Sequence, residues 1–159
     1  MKKLESIKGE GYVTPCVLAF IFVGIFSIIF TYSGTISKVN IMKENTKVVL
    51  DSFVTQNATE IYNSIKQGND YTEVIDVEEF RTSLISFCTL EINNGMLYNT
   101  DADGKELFHI TEPQLSFRET NELELVVNYT ISIPMWFAGN QIRTVVIPIE
   151  VTSILTEKF

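Results

Sequence analysis

Between Gly11 and Ser37 the chain has no charged side chain, and nothing else in the sequence restricts its fold so strongly. The apolar heart of this stretch, Val13 to Tyr32, would run about 30 Å as a helix, the length of one bilayer crossing. Between Pro15 and Tyr32 stand eleven Leu, Ile, Val and Phe residues. Together they are worth about −3 to −7 kcal/mol on the insertion scale, with no ionised group to oppose them. A soluble domain could hide the segment only as a core helix, but it is apolar on every face and a chain of 159 residues encloses too little interior. Thr14 can N-cap the helix and Pro15 suits its first position. A transmembrane helix is therefore expected over residues 15–33, behind a basic leader over residues 1–14. A secretory signal peptide shares the basic start and apolar core, and Thr31-Tyr32-Ser33 is a weak form of its cleavage site. Lipid attachment at Cys16 would need small residues before it, where Val13-Thr14-Pro15 stands.

Charge is unevenly placed in this chain of net −8: Lys2, Lys3 and Lys8 precede the apolar run, and eighteen of the twenty acids follow it. The acidic bulk argues against a nucleic-acid or anionic-lipid partner. Lys38, Lys43 and Lys47 balance the leader lysines, so the positive-inside count leaves orientation open. With only Cys16 and Cys88, neither a disulfide framework nor a zinc knuckle fits within one chain.

Beyond the apolar run, Ile36, Val39, Met42, Val49, Leu50, Phe53, Val54, Ala58, Ile61 and Ile65 keep helical spacing, so residues 34–68 read as an amphipathic helix that stops at Lys66 and Gly68. Asp76 and Glu79 have the spacing of a capping box for a shorter helix with a stripe of Val77, Phe80, Leu84, Ile85 and Cys88. The period then changes to two. Asn94-Gly95 and Asp103-Gly104 mark hairpins. Leu123, Leu125, Val127, Tyr129, Ile131 and Ile133 should share one strand face, and Val145, Ile147, Ile149 and Val151 another, with Gly139-Asn140 turning the chain between them. The expectation is an α+β fold in which a long N-terminal helix, first transmembrane and then amphipathic, precedes a short helix and an antiparallel β-meander, with residues 69–159 as the α+β domain.

A glycine-flanked basic leader, a membrane helix continuing as an amphipathic one, and a small antiparallel sheet together resemble a type IV pilin-like protein. The stretch KGEGYVTPCVLAF is similar to the N-terminus of TadE-like pseudopilins of tight-adherence (Tad, or Flp) pili from Gram-positive bacteria. That resemblance implies a prepilin peptidase cutting after Gly9, so that Glu10 starts the mature chain, with Gly11 as a second place for the cut. Left uncut, the leader is a cytosolic tail. Val13-Thr14-Pro15 takes the place of the family's Val-Glu-Phe step, so Thr14 stands where a glutamate would pair with a neighbouring subunit's amino terminus. The resemblance also implies a cytoplasmic N-terminus, an extracellular C-terminal domain, and pilin or pseudopilin subunits as partners. Their membrane helices would meet at the small residues Ala19, Gly24 and Ser27.

Other chemistry is sparse. His109 is the only histidine and would have to serve in any Ser-His or Cys-His pair, but it reads better as a strand residue. Asn99, Asp101 and Asp103 with Gly104 imitate a calcium loop, yet Ile110 occupies the position that needs a bidentate glutamate, and a hairpin is the better reading. No cofactor and no catalysis are expected. The expected function is a non-catalytic pilus or secretion component. The alternative is an anchored or secreted domain that binds a ligand or partner, with Trp136 and Phe137 as the residues to watch.

Overall fold

The computed structural model describes residues 13–119, 122–137 and 140–155. The chain divides into two compact units, one ending at Ser37 and the other beginning at Lys38. In the first, the described residues are wholly helical and belong to α1, which spans Val13–Gln67. Thr14 already lies inside the helix rather than at its cap. Pro15 follows it within α1.

The second unit begins with the rest of α1. Met42, Val49, Leu50, Phe53, Val54 and Ile61 of that helix are buried, as the spacing requires. The helix stops in a Schellman motif: Gly68 has φ +72°, its N–H bonds to Ile65 O, and the Asn69 N–H bonds to Ser64 O. Glycine reaches that left-handed conformation without a Cβ penalty. A 3₁₀ turn, Tyr71–Val74, leads to α2, Val77–Cys88, whose first N–H groups at Glu78 and Glu79 are capped by Asp76 Oδ1. Phe80, Leu84 and Cys88 of α2 are buried, and Phe80 meets Phe53 edge to face at 5.6 Å. At its other end Thr89 takes φ +53°, uncommon for a β-branched residue. Asn99 Nδ2 donates to the carbonyls of Cys88 and Thr89 there, satisfying acceptors that the helix leaves open.

Among the described residues six antiparallel strands follow: β1 Glu91–Asn93, β2 Met96–Thr100, β3 Glu106–Ile110, β4 Gln114–Glu119, β5 Leu123–Phe137 and β6 Asn140–Ile154. Asn94 and Gly95 both have positive φ, as a two-residue type I′ hairpin needs. β3 and β4 lie end to end along one edge of β5, and β6 takes the other, so the strands form a meander. The register steps by one residue between β3 and β4. Thr111 bridges the step: its N–H donates to Thr130 O, and its hydroxyl accepts the Thr130 N–H in place of a ladder carbonyl. Arg81 of α2 reaches this corner, with Nε 2.5 Å from a Glu112 carboxylate oxygen. That N–H is not aligned on the carboxylate, so the contact is an ion pair without a hydrogen bond. Asn140 opens β6 rather than turning the chain, and Ala138 and Gly139 lie outside the described residues.

The core lies between the helices and one face of the sheet. Leu97, Ile110, Leu125, Val127, Tyr129, Ile131 and Ile133 come from the strands, with Leu123 and Ile147 packed against them. Polar stitches hold α1 to β6. Lys47 Nζ donates to Thr152 O at 2.7 Å and to Asp51 Oδ1 at 2.6 Å, and the Ser153 hydroxyl donates to the same carboxylate.

Candidate functional site

In the unit that ends at Ser37, α1 carries an apolar window long enough to cross a membrane, and none of that window is buried within the protein. Phe20, Ile28 and Phe30 are 70–79% exposed. A helix satisfies its own backbone, so in hydrocarbon only side-chain polarity must be matched to the surroundings. The hydroxyls here are matched internally: Thr31 Oγ1 donates to Ser27 O at 2.8 Å and Thr35 Oγ1 to Thr31 O at 3.0 Å.

Two of the three residues expected to pack against neighbouring helices, Ala19 and Gly24, are open. A Cβ added at Gly24 or Gly34 would meet nothing within 4 Å, Ala19 is exposed, and Ser27 is half-buried. At about 100° per residue, Gly24, Ser27, Thr31 and Gly34 follow one another at spacings of three, four and three on a single face. Ala19 lies beside that stripe. Thr31 and Gly34 extend the face that Gly24 and Ser27 share. Gly9, Glu10 and Gly11 lie outside the described residues, and Thr14 is exposed.

In the sheet unit, the face turned away from the helices carries the polar chemistry. Arg118 of β4 lies 3.9 Å from Glu124 of β5 and 2.9 Å from Glu150 of β6, so its side chain crosses β5 above Val126. That explains why Val126 is 1% exposed on the face expected to be wet. Further along, His109 Nδ1 is 2.6 Å from Glu106 Oε1, and its ring lies 5.0 Å from that of Tyr98. Ser132 is the cross-strand partner of His109, so Ser, His and Glu meet here. Among the described residues no hydrogen bond joins Ser132 to His109, and Ser132 is buried.

The calcium-like stretch is a hairpin loop. Asn99 is turned toward α2, and Asp101 Oδ1 accepts the N–H groups of Asp103 and Lys105. Inside the core, burial raises the Cys88 thiol to about 11 against a hydrogen bond to Asn45, and burial raises the Tyr129 hydroxyl to about 12. Burial thus favours the protonated form of both groups at neutral pH. Tyr129 OH lies 2.9 Å from Thr46 Oγ1, which in turn donates to Met42 O. An open groove of about 800 Å³ runs between α1 and β6, lined by Lys43, Glu44, Lys47, Val48, Glu150 and Thr152 among others.

Compared with protein-family models, curated proteins and solved structures, the chain matches none.

Proposed function

We propose that this chain is a non-catalytic, pilin-like membrane protein: a pseudopilin of a Tad-type pilus or a related secretion apparatus, with its N-terminus in the cytoplasm and residues 69–159 outside the cell. One observation carries the reading. A single helix, Val13–Gln67, holds both an apolar segment with no cover of its own and, from Lys38 onward, the face on which an antiparallel sheet is built. In this reading a prepilin peptidase acts at Gly9 or Gly11, and subunits meet along the stripe of Gly24 and Ser27. The groove between α1 and β6 is then available to another subunit. The engaged His109 and the buried Cys88 favour a structural role over an enzymatic one.

The test is Gly24→Leu in the native host. Leucine is at least as apolar, so the protein should stay in the membrane while its copurification with pilus components falls. Thr14→Glu should raise processing and incorporation if the family's terminal pairing operates. Unchanged pilus number and partners in both variants would overturn the pilus reading. An anchored ligand- or partner-binding domain would then take its place, a role favoured by the exposure of Trp136. Protease added to intact protoplasts should digest the acidic domain, and protection there would reverse the orientation.

A further inference from the structure

The β5–β6 hairpin outruns the sheet. β3 pairs with β5 only at His109↔Ser132 and Ile110↔Ile131, so Ile133–Phe137 pairs with β6 alone. A two-stranded ribbon has no core of its own, yet this one carries Trp136 at 38% exposure and Ile142 at 67%. Ile142 is the extra residue of a bulge: Met135 pairs with Arg143 and Trp136 with Gln141, leaving Ile142 between them. Bulges re-aim side chains, and here the result is an exposed isoleucine.

Basic side chains gather at the same end. Lys105 Nζ sits 4.0 Å from the Trp136 ring centroid. Lys38 Nζ donates to Leu107 O, and its pKa is lowered by burial and by the charge of Lys105. Arg143 is exposed on β6. Of the nearby acids, Asp101 is committed to its own loop and Glu106 to His109, while Asp103 is exposed.

Lys38 is also the first residue of the sheet unit, so the chain joining that unit to the apolar segment leaves from this end. Six residues, Ser33 to Lys38, span at most about 20 Å even when fully extended. If the apolar segment spans a bilayer, this end of the unit is held near its surface at high effective concentration. Tryptophan, an aliphatic side chain and basic residues are the set that partitions into the headgroup region.

We propose that the β5–β6 tip docks on the phospholipid surface of the bilayer that holds the chain, with the Trp136 ring at headgroup level, Ile142 against the acyl boundary, and Lys38, Lys105 and Arg143 on lipid phosphates. This rests on the anchored reading of the apolar segment, and the test separates the two. Trp136 is the only tryptophan, so its emission reports this tip alone in the full chain. The protein is reconstituted in phosphatidylcholine vesicles whose acyl chains are brominated near the headgroup. Emission should fall by more than half relative to unbrominated vesicles, and iodide in the buffer should have little effect. Ile142→Asp should restore the emission and admit iodide, with carbonate resistance unchanged. Equal emission in the two vesicle types from a carbonate-resistant chain would overturn the docking alone, including the case of a blue-shifted but unquenched ring covered by another copy. Extraction of the chain by carbonate would overturn both readings.

Discussion

The residues of α1 before and after Ser37 have the same backbone conformation and opposite side-chain logic. Before it, apolar residues surround the helix and stay exposed: Phe20, Phe22, Phe26 and Phe30 are all more than half accessible. After it, Met42, Leu50, Phe53 and Ile61 are almost fully buried while Lys43, Glu44 and Gln56 remain outside. Helical hydrogen bonding is indifferent to the medium, so the arrangement of side chains around the axis sets the cover each part needs. One part is suited to a solvent of hydrocarbon and the other to a sheet.

Phe80→Ala should break the sheet unit without touching the anchor. The ring is fully buried against Phe53, and losing it should cost about 3–5 kcal/mol. Urea denaturation would show this, with membrane retention unchanged. Ile25→Arg should do the reverse, because a central charge costs about 2.5–3.5 kcal/mol of insertion. Carbonate should then release the chain, and the β signal by circular dichroism should persist.

Alkali should also act on the sheet unit. Tyr129 and Cys88 keep their protons more tightly when folded, with folded values of about 12 and about 11 against ordinary values of 10.0 and 9.0. Their contribution is complete below the ordinary values and is lost as pH rises through the folded ones, at about 1.4 kcal/mol per pH unit for each proton. Stability measured by urea should fall between about pH 9 and 12, and a flat profile there would contradict their burial.

The smallest effect distinguishes two ends of one hydrogen bond. Thr46→Val removes a fully buried hydroxyl and leaves Tyr129 OH, in a residue only 4% exposed, without its partner, at a cost of about 1–3 kcal/mol. Tyr129→Phe should cost less, since Thr46 still donates to Met42 O. Equal losses would mean that the pair is not the buried contact described.

Much of this was legible in the sequence because it depends on neighbours in the chain. The apolar window needs only an unbroken run of uncharged residues. The stop at Gly68, the cap at Asp76 and the hairpin at Asn94-Gly95 follow from local backbone and side-chain chemistry, and the alternation from Leu123 to Ile133 follows from the two-residue period of a strand. The Arg118 side chain that buries Val126 could not be read this way, because it reaches across three strands. Nor could the place of Thr46, a polar residue inside an apolar stripe, whose second hydrogen-bond partner lies 83 residues away. The same holds for the tandem of β3 and β4 along β5, which one threonine hydroxyl reconciles. Periodicity determines which face of an element avoids water; only the assembled sheet and helices decide what covers that face, because the covering groups come from distant parts of the chain.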